Sequence, residues 1–244
     1  MKGIRLDKYL SDMGKGTRSQ IKSDIRKGMV CVNGAVENSP ERKVTKEDEI
    51  TYGQERVSYE KYRYYLLNKP SGVITATKDE SERTVLELIR EEDRIPGLFP
   101  VGRLDKDTEG LLLLTNDGEL AHQLLSPRKH VRKTYFVRLE GILSEDDIAR
   151  LHQGIALKDK TICKPAECTV KGADYDAGTC EVELSITEGK YHQVKRMMAA
   201  CKTKVVYLKR ISMGDLKLDA SLETGAYREL SKEEVLLLKE STQQ

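Results

Sequence analysis

The chain has 244 residues, enough for one large domain or a small one beside a medium one, and 38% of them are hydrophobic, which can supply a sizeable core. The longest apolar runs, Leu111–Leu114 and Val235–Leu238, fall far short of the ~20 residues that span a bilayer. The start turns charged at Lys2 and Arg5 instead of opening the apolar stretch of a secretory signal, so a cytoplasmic protein is expected. Cys31, Cys163, Cys168, Cys180 and Cys201 form no CxxC pair, and His122, His130, His152 and His192 form no HxxxH or HExxH pattern. Neither a disulfide framework nor a metal site is expected, and the thiols read as reduced and mostly buried. The formal net charge is only +2, but it is unevenly spread. Leu120–Leu139 has no acid and holds Arg128, Lys129, Arg132, Lys133 and Arg138; Gly189–Gly214 has none either and holds seven Lys or Arg. Such stretches suit a phosphate backbone or a merely solvated face.

Residues 4 to about 52 read as a compact unit. Leu6, Tyr9 and Leu10 share one helical face, Gly14 stops that helix, and Thr17 caps a second in which Ile21 and Ile25 are four apart. The outer side of the second helix carries Arg18, Lys22 and Arg26, spaced by four into one basic stripe. A strand, Met29–Val32, then meets Asn33-Gly34, the strongest short hairpin signal. This order, with its RLDKYL opening and its GMVCVNG strand and turn, resembles the S4 RNA-binding domain. The resemblance implies that Arg5, Arg18, Lys22 and Arg26 meet structured RNA. Gly53–Lys61 is polar and lacks apolar periodicity, and reads as a linker.

A second domain begins near Tyr62. A strand runs through Leu67 into the NKPSG turn, where Pro70 and Gly72 enforce a backbone reversal. A short helix from Thr84, a buried strand at Leu111–Leu114 and a turn at Asn116-Asp117-Gly118 follow. Tyr135, Val137 and Leu139 alternate with Thr134, Phe136 and Arg138, as Val182, Leu184 and Ile186 do with Glu181, Glu183 and Ser185, marking two half-buried strands. Helices are expected at Ser144–Gln153, His192–Cys201 and Ser231–Lys239, the first and last opening with Ser-x-x-Asp/Glu capping boxes. Strands and helices interleave without regular βαβ alternation, so the expected class is α+β with a mixed sheet.

The most informative segment is Gly102–Asn116, GRLDKDTEGLLLLTN. A loop holding Arg103, Asp105, Asp107 and Glu109 runs into four leucines, which sets charged groups at the mouth of a buried strand. Three alternating acids and Gly110 imitate the first half of a calcium loop, but the twelfth position is Asn116 where a bidentate Glu is required. A DxD magnesium site would need a phosphate-cradling glycine-rich loop, and none accompanies it. For isolated acids, a solvated turn would be the default.

Four ordered motifs argue otherwise. GRLDKDTEGLLLLTNDG is similar to the catalytic motif of the pseudouridine synthases, of which the S4-bearing branch that modifies ribosomal RNA is the nearest in kind. Lys69-Pro70-Ser71-Gly72, KTY ending in Tyr135, and YHQVKRM follow that family's order. The resemblance implies a small S4-like domain with its linker over residues 1–58 and, over 59–244, a catalytic domain built on a mixed, largely antiparallel sheet with flanking helices. It implies isomerisation of a uridine without a cofactor, by breaking the glycosidic bond, turning the base and rejoining it through C5. By the same matching Asp105 is the catalytic carboxylate, Tyr135 stacks on the base and shares in proton transfer, and Lys195, with Arg196 beside it, pairs with the aspartate. Lys69-Pro70-Ser71-Gly72 is mainly structural. The resemblance also implies that Arg103 helps displace or hold the flipped nucleotide, and Lys133 and Arg196 join it as candidate RNA contacts.

Physical chemistry agrees with these roles. A carboxylate acting at a sugar must stay charged, and a neighbouring cation such as Lys195 favours that. An aromatic face can hold an unstacked base with roughly 1–3 kcal/mol. The reacting atoms are hidden in a helix, so the nucleotide must be flipped. EGKYHQVKRMM is most similar to the synthases of small-subunit ribosomal RNA, since large-subunit relatives tend to carry Asn-Arg where Tyr191-His192 stands. Cys201-Lys202-Thr203 departs from the glycine common after this helix. The implied partner is ribosomal RNA in a small-subunit assembly intermediate, the implied state a monomer. The alternatives are a noncatalytic RNA-binding or ribosome-assembly factor, and a synthase acting on large-subunit or transfer RNA.

Overall fold

The computed structural model describes residues 3–243. The chain divides into two units: one holds the chain up to Arg63 together with Ile89–Leu98, the other Tyr64–Leu88 and the chain from Phe99 onward.

In the first unit, β1 (Ile4–Arg5) leads into α1 (Leu6–Asp12), and α2 (Arg18–Arg26) follows after Gly14, whose φ of 71° ends the first helical pair of turns. Thr17 caps α2 by accepting from the Gln20 amide at 3.3 Å. Then come β2 (Val30–Val32), β3 (Ala35–Val36), β4 (Lys43–Val44), β5 (Ile50–Tyr52) and β6 (Glu55–Val57). The order β3-β2-β5-β6 forms one sheet, and β1 pairs with β4. Asn33 and Gly34 both have positive φ, 55° and 79°, which a two-residue hairpin turn requires. Leu6, Leu10, Ile21 and Ile25 pack with Val30, Val32 and Ile50 into the core, and the Tyr9 hydroxyl donates to the Val57 carbonyl at 2.9 Å. The expected linker is therefore corrected in part. Glu55–Val57 is an edge strand paired with β5, with one buried apolar residue and so no visible periodicity.

The second unit contains β7 (Tyr64–Lys69), β8 (Phe99–Pro100), β9 (Glu109–Thr115), α3 (Gly118–Leu125), β10 (Lys133–Glu140), α4 (Glu145–Gln153), β11 (Glu167–Asp174), β12 (Thr179–Ile186), α5 (Gln193–Ala200), β13 (Lys204–Met213), β14 (Leu216–Lys217), β15 (Tyr227–Glu229) and α6 (Lys232–Glu240). The strands make one sheet in the order β11-β12-β10-β13-β9-β7-β15, with β14 beside β13 and β8 beside β9. Among the described residues, β13 against β9 is its one parallel strand pair, through Lys209↔Glu109 and Arg210↔Gly110. The fold is α+β with a mixed, mostly antiparallel sheet. Leu111–Leu114 are all fully buried, so β9 is covered on both faces and reads as an unbroken apolar run. Tyr135 on β10 pairs with Arg210, which pairs with Gly110, so the three lie in one row across the sheet.

Two expectations change here. Asn116-Asp117-Gly118 is not a simple turn: Asp117 accepts from the Leu120 amide at 3.1 Å and caps α3, which buries Leu120, Ala121 and Leu124. The helix expected from Thr84 is a single 3-10 turn, Val85–Leu88. The capping boxes of α4 and α6, at Ser144/Asp147 and Ser231/Glu234, are both formed.

Candidate active site

The loop between Gly102 and Thr108 is held by its backbone. Lys69, fully buried at the end of β7, donates from Nζ to the carbonyls of Pro70 (3.0 Å), Asp105 (3.1 Å), Lys106 (3.2 Å) and Thr108 (2.8 Å). The Thr75 hydroxyl donates to the Leu104 carbonyl at 2.8 Å and accepts from the Leu104 amide at 3.1 Å. With Leu104 buried beneath, the Asp105 backbone has little freedom.

The Asp105 carboxylate emerges 28% exposed and meets Lys195 Nζ at 3.4 Å and His192 Nε2 at 3.6 Å. Lys195 makes a shorter bond, 2.5 Å, to Asp107. That bond holds the Asp107 carboxyl below its ordinary range. Burial pulls the Lys195 ammonium down, but Asp107 and Asp105 outweigh it and the net shift is upward. Arg196 turns elsewhere, to Asp159 at 2.5 Å and the Tyr191 carbonyl at 3.3 Å. Adjacent residues on a helix point about 100° apart, so only one of this pair can face Asp105. His192 has a left-handed φ of 48°, precedes α5, and stacks on Tyr191 at 3.9 Å. Buried Gln193 ties the same segment together through Glu188 (2.7 Å) and the Lys190 amide (2.9 Å).

Asp105, Lys195, His192, Tyr135, Lys133, Arg103 and Arg210 line one cavity of about 740 Å³. Tyr135 is 8% exposed in its wall, and Arg103 is exposed on the Gly102–Thr108 loop. Lys133, expected to meet RNA from the surface, is only 9% exposed and donates to the Val131 carbonyl at 3.0 Å. Burial, then the nearby Arg210 charge, pushes its ammonium down to about 8. Arg210 is buried too, with Nε donating to the Leu111 carbonyl at 2.7 Å and Nη2 enclosed without a partner. Arg5, Arg18, Lys22 and Arg26 belong to the first unit. Among the described residues, no group of three or more His, Cys, Asp or Glu could hold a metal ion.

Sequence reading missed His192, Arg210 and the reach of Lys69. Lys69 was visible in the Lys-Pro-x-Gly turn, but nothing local reveals that it also reaches three carbonyls of a loop some 36–39 residues away. Replacing Lys69 by Met should strand those carbonyls and cost about 1–3 kcal/mol, while lowering turnover by loosening the Asp105 loop. Burial also pushes the Lys69 ammonium down to about 8, partly opposed by Asp107, Glu109 and Asp105. Below that pH, burying the cation costs in full; between about pH 8 and about pH 10.5 the unfolded chain keeps a proton that the fold sheds. Wild-type stability relative to Lys69→Met should therefore rise between about pH 7.5 and about pH 9.5 in urea titrations. A flat or falling difference would contradict this.

Comparison with known proteins shows the family. Residues 63–200 match the RNA pseudouridylate synthase family and residues 4–50 match the S4 domain. An uncharacterized RNA pseudouridine synthase of Bacillus subtilis is 46% identical over 97% of this chain and 99% of its own. The ribosomal small subunit pseudouridine synthase A of Haemophilus influenzae is 40% identical, and that of Escherichia coli 38%, each over 95% of this chain and 98% of its own. A crystal structure of a pseudouridylate synthase, 39% identical, superposes with a TM-score of 0.65 over 96% of this chain and 99% of the other. The chain belongs to the RNA pseudouridylate synthase family and carries an S4 domain ahead of the synthase domain. It is a pseudouridine synthase. Among the described residues, no helix is long and apolar enough to cross a membrane.

Proposed function

We propose that this enzyme isomerises one uridine of small-subunit ribosomal RNA, in the cytoplasm and as a monomer, with Asp105 as the catalytic carboxylate. The observation that carries the reading is Asp105 itself, on a loop pinned by Lys69, paired with Lys195, opening into the cavity that Tyr135 lines. The flipped nucleotide enters that cavity, and Asp105 acts at its sugar. The C1′–N1 bond breaks with its electron pair passing to the base, the base turns, C5 bonds to C1′, and the C5 proton leaves as N1 regains one. Atoms balance and no cofactor is consumed. Tyr135 holds the ring and serves the proton transfer, Lys195 pairs with Asp105 and orients it, and Arg103 steadies the displaced nucleotide at the rim.

The small-subunit assignment rests on the names of the Haemophilus and Escherichia relatives and on Tyr191-His192 beside the site. The substrate is read as an assembly intermediate rather than a finished subunit, because the target must still be open to flipping. Site-resolved pseudouridine mapping of unmodified small-subunit RNA, bare and protein-bound, tests both. One new site in the small-subunit RNA is expected; a site appearing only in large-subunit or transfer RNA would redirect the assignment.

A further inference from the structure

The basic side chains of the first unit do not stand apart along α2. Arg5 grips the Asp7 carboxylate with both edges of its fork, Nε to Oδ1 at 3.1 Å and Nη2 to Oδ2 at 2.9 Å. Arg18 reaches the same carboxylate at 3.3 Å and Lys22 at 3.8 Å. These cations come from β1 and from successive turns of α2, and the carboxylate on which they converge has no exposed surface. Burial pushes the Asp7 carboxyl up, but its bonds to Arg5 and Arg18 bring the net shift down, so it stays an anion. The cations themselves remain 40%, 51% and 38% exposed for Arg5, Arg18 and Lys22. Glu41 also accepts from Arg5, at 3.1 Å, on the outer side. Arg26 makes no ion pair with Asp7 and is exposed.

We infer that Asp7 is a positioning residue, which gathers Arg5, Arg18 and Lys22 into one preorganised clamp for a phosphodiester group of the RNA. Free lysine and arginine side chains lose much rotamer freedom when they settle on a phosphate. Here one buried anion holds them in place beforehand, and two of the three are planar forks whose remaining donors suit phosphate oxygens. The cluster keeps a positive excess, since three cations share one buried carboxylate and one exposed one. The inference rests on the RNA-binding reading of the S4 domain, not on the chemistry at Asp105.

The clamp reverses the usual sign of a charge change. Binding of a fluorescent RNA stem-loop to the full chain is compared at fixed salt for wild type, Asp7→Asn, Arg5→Lys and Arg26→Ala. Asp7→Asn makes the protein one charge more positive, yet it should bind about 10-fold more weakly because three side chains are released. Arg5→Lys keeps the charge but loses the fork, and should weaken binding about 5-fold. Arg26→Ala removes one independent phosphate contact and reports what plain charge loss does. Folded Asp7→Asn that binds as tightly as wild type, or more tightly, overturns the clamp. If Asp7→Asn does not fold, Arg5→Lys decides: unchanged affinity overturns the clamp and weakened affinity sustains it. Should the isomerase reading fail instead, no variant would yield product while the order of affinities stood.

Discussion

Asp105→Asn is expected to lower the single-turnover rate of pseudouridine formation by about 10³-fold or more, with RNA affinity within about twofold of wild type. Asn matches Asp in shape, so the cavity keeps its form and only the anion is lost. Lys195 retains its 2.5 Å bond to Asp107, so the partly exposed cation keeps a partner. Because Asp105 is partly exposed, losing its pair with Lys195 should cost no more than about 1 kcal/mol of stability. Chemistry and folding are thus separable in one variant. Tritium release from RNA labelled at uridine C5 follows the chemical step, and a urea titration follows the fold. A variant with unchanged release would remove Asp105 from the reaction.

Gly110→Ala should destabilise the fold by about 3 kcal/mol or more, a large part of the roughly 5–15 kcal/mol that holds a domain together. A Cβ at Gly110 would lie 2.2 Å from the Arg210 carbonyl oxygen and 2.9 Å from the Arg210 amide nitrogen. The third neighbour, Lys209 Cγ at 2.9 Å, can swing away; the strand backbone cannot. Relief would require prising β9 from β13 at their parallel pairing, with the Arg210 bond to Leu111 at risk. The φ of 98° adds strain for any side chain. Gly178→Ala is the matched control, since Gly178 also has positive φ but nothing within 4 Å. Similar urea midpoints for the two variants would show that the overlap is tolerated.

Local signals were the legible ones. The faces of α1 and α2, the Asn33-Gly34 turn and the two Ser capping boxes are set by residues within one or two turns of each other. What escaped depends on distant partners. β13 is the longest strand and sits mid-sheet, yet in its first half only Leu208 is buried, so its alternation is masked by Lys204, Tyr207 and Lys209. β11 is a polar strand at the sheet edge with one buried residue, Cys168. α3 hid behind a turn reading of Asp117, although Leu120, Ala121 and Leu124 have helical spacing. At the site, family resemblance singled out Asp105 and Lys195, 90 positions apart, and the fold brings them to 3.4 Å. Lys133 was open to a better reading: it shares the parity of Tyr135, Val137 and Leu139, and so had to point inward.

The row Tyr135, Arg210, Gly110 acts as a ruler. Adjacent strands lie about 4.8 Å apart, so two spacings, about 10 Å, separate the strand that presents the tyrosine from the strand that launches the aspartate loop. That gap is set by backbone hydrogen bonds across the middle of the sheet, and no rim loop contributes to it. Segments around the cavity, such as the one carrying Tyr191 and His192, are therefore free to be exchanged for others that fit a different RNA, while the distance across which a nucleoside must be gripped stays constant.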